Sequence, residues 1–219
     1  MKSSPALSSR YAIVILAAMH FFGLIAFLLI DLERFVVYSP LTLLLSALIV
    51  FLAHPGRQKS LLIFFLLSYT LGFVAELSGV LTGFPFGDYR YGESLGWKWQ
   101  GVPWLIGVNW FLIALAGRSV FEPLRMSPWL KTALAASAMT ALDFLIEPLS
   151  AQLDYWYWRD NQIPIENFLG WWAVSFIIQY VGYFHISLNR NLAAASYYVI
   201  VALFFGILNL GLWSGIGAF

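Results

Sequence analysis

The sequence predicts an all-α fold: a polytopic membrane bundle of about seven transmembrane helices, forming a single domain over residues 1–219. Three observations predict it. Hydrophobic residues make up 61% of the chain and charged residues only 11%, against about 25% charged in ordinary soluble domains, so lipid must be its main solvent. Apolar runs recur at close to the twenty or so residues that cross a bilayer. No stretch has the composition of a separate soluble domain.

The runs lie at 11–30, 38–54, 61–82, 103–118, 130–150, 167–186 and 193–213, the second and fourth being short. The first resembles a signal peptide in position, but its apolar core is long and no A-x-A site follows it, so it reads as a retained span. The third carries Glu76 and a ladder of small residues, Gly72, Ala75, Gly79 and Gly83, which permits close helix contact. The fifth carries Asp143 and Glu147. The sixth begins with Asn167 and Trp171, and the seventh reads only as a hydrophobic span. Eight of the twelve Lys and Arg residues fall on one side of this arrangement: Lys2, Arg10, Arg57, Lys59, Arg118, Arg125, Lys131 and Arg190. The positive-inside rule makes that side cytoplasmic, with the N-terminus on it, in what is expected to be a bacterial inner membrane.

Two loops share the opposite face and resemble each other. One reads FPFGDYRYGESLGWKWQGVPW over 84–104; the other carries DYWYW at 154–158 and IPIENFLGWW at 163–172. Each follows a span bearing an intramembrane acid. The third and fourth spans and the fifth and sixth therefore read as two copies of one unit, related by an axis along the membrane normal, with both loops over a central cavity. Trp and Tyr also collect at membrane interfaces without further function. The acid-plus-aromatic pattern, occurring twice, asks for more than a belt.

An ionisable side chain in the hydrocarbon region costs at least about 2.5–3.5 kcal/mol on insertion scales, so Glu76, Asp143 and Glu147 need partners, protonation or a wet cavity. Asp143 and Glu147 are four apart and share a helix face. A carboxyl buried among aromatics favours its neutral form, and a second carboxyl nearby reinforces this. A neutral carboxylic acid donates a proton, and Trp and Tyr faces stabilise the cation that results. Acid and aromatic wall together suit protonation of an alkene.

Other chemistries lack their residues. Cysteine is absent, which removes disulfides, thiolate nucleophiles and Cys-ligated metals. Lys2, Lys59 and Lys98 lie outside the spans and Lys131 stands at the very start of the fifth, so no lysine sits in the interior of a span and a retinal Schiff base is excluded. His20, His54 and His185 are isolated and form no di-iron cluster motif. No Gly-rich phosphate loop appears. The formal charge of +1 gives no reason to expect nucleic acid. No metal site and no cofactor are expected.

The segments ELSGVLTGFPFGDYRYGESLG with GVPW, and ALDFLIEPLSAQLDYWYW with IPIENFLGWW, resemble the signature segments of the membrane carotenoid-biosynthesis family that includes gamma-carotene 1′,2′-hydratase and bisanhydrobacterioruberin hydratase. The likeness covers roughly residues 70–175. It implies addition of water across the terminal 1′,2′ double bond of an acyclic carotenoid end, giving a tertiary alcohol, without a redox cofactor. It implies a lipophilic carotenoid substrate in membrane lipid, with other carotenoid-biosynthesis enzymes as candidate partners. From the residues themselves, Glu147 is the first choice of proton donor and Glu76 the second. Asp143, Asp88 or Asp154 would orient the water and accept its proton, while Arg90 and Arg159 would hold the carboxylates. Tyr89, Tyr91, Trp104, Trp156, Trp158, Asn167 and Trp171 complete the expected substrate site. A lycopene-type cyclase begins with the same proton but traps the cation with an internal alkene. A Mg²⁺-dependent prenyltransferase, in which DFLIE and DYRY would hold metal and diphosphate, is a rival that lacks a full N-D-x-x-D-x-x-x-D motif here, and a non-enzymatic pigment-binding or transport protein is the other.

Overall fold

A backbone in lipid must satisfy its N–H and C=O groups within its own segment, which makes the helix the form available to each apolar run. In a computed structural model, which describes residues 5–214, all seven runs are helical. The first is α1 (Ser9–Ile25), which continues through a π-helical turn, Ala26–Ile30. A short helix that the runs do not foreshadow, α2 (Leu32–Val36), follows at once, capped by the Asp31 side chain accepting from Arg34 N–H at 3.0 Å. Then come α3 (Ser39–Leu52) and α4 (Gln58–Thr82), which closes on Gly83 in the left-handed conformation, φ 79°.

The first loop holds three short strands, β1 (Tyr89–Tyr91), β2 (Lys98–Trp99) and β3 (Val102–Pro103). Beyond it lie α5 (Leu105–Phe121) and α6 (Pro128–Ile146), the latter capped by Ser127. Pro148 cannot donate to the helical ladder, and the last turn of α6 tightens into a 3₁₀ segment, Glu147–Leu149. The second loop holds β4 (Trp156–Trp158), followed by α7 (Ile165–His185) and α8 (Leu192–Ser214). Among the described residues, four segments, Ser9–Ile30, Gln58–Thr82, Pro128–Leu149 and Leu192–Gly211, are long and apolar enough to cross a membrane, and α3 and α5 are shorter apolar helices.

The centre of the bundle is α5, buried from Trp110 to Ser119 and packed by α3, α4, α6, α7 and α8. A helix apolar on every side belongs in such a position. Its neighbours pair as α4 with α5 and α6 with α7, so the chain contains two successive helix–loop–helix units. Their loops meet where β1 pairs antiparallel with β4, Tyr89 opposite Trp158, Arg90 opposite Tyr157 and Tyr91 opposite Trp156. Strand alternation then sends Tyr89, Tyr91, Trp156 and Trp158 inward and leaves Arg90 outside.

The small residues of α4 serve contacts within the chain. A Cβ at Gly72 would overlap the Trp110 ring, and one at Gly79 would press on the Tyr89 hydroxyl. Gly206 on α8, by contrast, faces nothing within 4 Å. Gly72→Val should therefore lower stability by about 1–3 kcal/mol through overpacking, whereas Gly206→Ala should be neutral or raise it by up to about 1 kcal/mol through helix propensity. Thermal unfolding in detergent measures both, and equal effects would contradict this packing.

Candidate active site

The site begins with three acids. Glu76 on α4, Asp143 on α6 and Glu147 in the 3₁₀ turn are 3%, 1% and 4% exposed. All three line one small cavity near the loop end of the bundle. The Glu76 Oε2 accepts from the Tyr89 hydroxyl at 2.6 Å and the Tyr91 hydroxyl at 2.7 Å, and its Oε1 accepts from Trp110 Nε1 at 2.9 Å. The Glu147 Oε2 accepts from Trp158 Nε1 at 2.8 Å and Trp156 Nε1 at 3.1 Å. One amide group joins the remaining pair, Asn167 Nδ2 donating to Asp143 Oδ2 at 2.8 Å and Glu147 Oε1 at 2.9 Å.

Every one of these donors is neutral. Among the described residues the three acids form no ion pair. Burial, and then the Glu76 carboxyl beside them, hold the Tyr89 and Tyr91 phenols well above their ordinary range, so both keep the protons they donate. Of the six carboxyl oxygens only Asp143 Oδ1 has no hydrogen-bond partner among the described residues. Among the described residues no group of three or more His, Asp or Glu side chains is arranged to hold a metal ion.

The acids' cavity offers about 20 Å³ to water-sized spheres, room for about one water. Its wall is aromatic: Phe86, Trp156, Trp158 and Trp171 face it, and Trp110 stacks on Trp171 with ring centres 4.0 Å apart. A much larger apolar cavity, about 370 Å³, adjoins it between α1, α3, α5 and α8. Ile106, Asn109, Ile146 and Trp156 line both. The larger one also meets the π-helical turn at Ala26 and Phe27, and His20, whose Nδ1 lies 2.8 Å from Leu16 O.

Of the residues expected from sequence, Glu76, Asp143, Glu147, Tyr89, Tyr91, Trp156, Trp158, Asn167 and Trp171 come together at this cavity. Five do not line it. Asp88 pairs with Arg159 at 2.9 Å on the exposed surface, and Arg90 lies over the Tyr157 ring at 4.6 Å. The two arginines thus hold no buried carboxylate, because strand alternation turns position 90 outward and position 159 falls beyond β4. Trp104 is half exposed and stacks on Phe73 at 5.4 Å. Asp154 is a clamp between the loops: its Oδ2 accepts from the Glu93 and Ser94 N–H groups at 2.8 and 3.0 Å, and its Oδ1 from the Tyr157 hydroxyl at 2.8 Å. In turn, Asn109, Trp110 and Phe86 belong to the site without being marked by the sequence pattern. A Trp and an Asn within an apolar run were the available signal.

Fold and site define a class: a helical membrane protein whose buried carboxyls, walled by aromatics, open onto an apolar cavity within the bundle. The chain belongs to the family of carotenoid biosynthesis proteins, whose model matches residues 36–219. It is 26% identical over 180 residues to bisanhydrobacterioruberin hydratase of Haloarcula japonica, a match covering 74% of this chain and 57% of that relative. The chain thus spans little more than half the length of this relative. No solved structure matches it.

The Asp154 clamp carries a pH prediction. Burial alone would raise this carboxyl, but the hydrogen bonds from Tyr157, Glu93 N–H and Ser94 outweigh it and hold the group below the usual range. A depressed folded value stabilises at pH above the unfolded value of about 3.9, and that contribution disappears as pH falls through the folded value. Tryptophan fluorescence should therefore report loosening of the loop pair on the acid side of about pH 4. Asp154→Asn should remove this acid-side step; an unchanged profile would show that the clamp's ionisation is irrelevant to the loops.

Proposed function

We propose that the chain is a carotenoid hydratase that adds water across the terminal 1′,2′ double bond of an acyclic carotenoid end, using its own carboxyls and no cofactor. Family membership and the hydratase name of the relative support the reaction class. The observation that carries the mechanism is the one uncommitted carboxyl oxygen, Asp143 Oδ1, in a cluster of three buried acids with no cation beside them. Three buried carboxylates in a cavity with room for about one water are too costly to remain all ionised, so at least one holds a proton. Donors on both oxygens of Glu76 and Glu147 suit carboxylates. Asp143 is left as the acid, which moves the donor one turn from Glu147, the first choice on sequence grounds.

The apolar polyene enters the larger cavity from lipid, its terminal alkene reaching the shared wall at Asn109, Ile146 and Trp156. The Asp143 O–H bond breaks as a C–H bond forms at the less substituted alkene carbon. Positive charge develops on the tertiary carbon, facing the indoles of Trp156 and Trp158. Water bonds to that carbon, its surplus proton passes to Glu147, and Asp143 is reprotonated from Glu147 through the next water to enter the cavity. The sum is alkene plus water to tertiary alcohol. Room for about one water favours this outcome over cyclisation, which would require the cavity to fold a second alkene onto the cation. In this reading the chain lies in a bacterial inner membrane, N-terminus cytoplasmic, with the paired loops on the opposite face.

Expression in a bacterium that accumulates lycopene, with mass analysis of the pigments, tests the proposal. Each modified end should gain the mass of one water. Asp143→Asn should reduce hydration by at least the roughly hundredfold expected of a general acid while leaving membrane insertion intact. Products of unchanged mass, or an undiminished rate in Asp143→Asn, would contradict it.

A further inference from the structure

Asn109 sits in the second turn of α5, among residues that are otherwise apolar or aromatic, LIGVNWFLIALAG over 105–117. It lines both the acid cavity and the large apolar cavity. Its amide makes no hydrogen bond among the described residues. The other amide in the acid cavity, Asn167, has its N–H₂ committed to Asp143 and Glu147. A carboxamide in a largely apolar setting has two donors and an acceptor to satisfy, and leaving them empty is costly. The acid cavity beside it has room for about one water.

We infer that Asn109 is the residue that holds the nucleophilic water, at the seam where the polyene end meets the acid cavity; this rests on the hydratase reading above. Its Oδ1 accepts one water hydrogen, leaving an oxygen lone pair free to bond to the tertiary carbon. Being neutral at every relevant pH, the amide cannot itself quench the proton that Asp143 delivers. Glu147 then takes the proton that the captured water releases. Asn109 is thus a positioning residue for the second half of the reaction and leaves the first half, protonation of the alkene, untouched.

This division predicts a specific partition. In membranes equilibrated with D₂O and loaded with lycopene, two quantities are read: hydrated product, and deuterium in the recovered, unhydrated lycopene. Asn109→Leu should lower hydration at least roughly tenfold, the value of one lost hydrogen bond to a developing charge. Deuterium should still enter the recovered lycopene, because the cation forms and collapses by losing a proton. Asn109→Ser, which can hold a water, should regain part of the hydration, and Asp143→Asn should lose both signals together. Asn109→Ala adds no bulk and is scored by the same two readouts where Asn109→Leu does not fold. Wild-type hydration in Asn109→Leu and Asn109→Ala, or parallel loss of hydration and exchange in a folded Asn109 variant, would overturn the assignment. Absence of both signals in the wild-type protein would instead bring down the hydratase reading, and the assignment with it.

Discussion

Three carboxyl groups share one cavity inside a bundle of apolar helices, and the groups that hold them are phenols, indoles and an amide instead of cations. That constraint accounts for much of the surrounding structure. A buried carboxyl without a counter-ion needs donors on its oxygens, and these must come from side chains that are themselves at home in an apolar interior. Tyr and Trp meet both requirements, each with a large apolar body and one polar tip. The loops therefore fold back into the bundle, pairing β1 with β4 so that four aromatic donors point at two acids. The arginines of the loops stay outside: Arg90 and Arg159 are occupied at the surface with Tyr157 and Asp88.

The two helix–loop–helix units solve the problem in the same way, with one difference. Glu76 receives two phenols from its own loop and an indole from α5; Glu147 receives two indoles from its own loop and an amide from α7. One turn earlier, the second unit carries Asp143 and the first carries Gly72. Trp110 fills the space that Gly72 leaves, and reaches Glu76 from there. The third acid thus belongs to one unit only, and it is the one whose Oδ1 has no donor. An arrangement that is nearly two-fold in its supports is one-sided in its chemistry.

Much of this was legible in the sequence where a single segment carries the information. The seven apolar runs are helices because run length and the scarcity of charge decide that locally. Glu76, Asp143 and Glu147 stand out because an acid in an apolar run is costly, and their grouping follows from their shared position near the aromatic loops. What depends on pairing between distant segments was not legible. Asp88, Asp154, Arg90 and Arg159 read as site residues until β1 and β4 are set in register, which places them on the outer surface or in the clamp. The large cavity arises from packing of α1, α3, α5 and α8, and no short motif announces it. Asn109 and Trp110 lie within an apolar run, and only the cavities and the Gly72 contact reveal their use.

The proposed chemistry stands on a protonated carboxyl at Asp143, with Glu76 and Glu147 held as carboxylates by neutral donors. Infrared spectroscopy of the protein in lipid reads this directly, since a protonated carboxyl has a C=O stretch distinct from that of a carboxylate and shifts in D₂O. At neutral pH such a band should be present in the wild-type protein, lost in Asp143→Asn, and retained in Glu76→Gln and Glu147→Gln. Absence of the band in the wild type, or its survival in Asp143→Asn and loss in either Glu variant, would contradict this assignment of the proton.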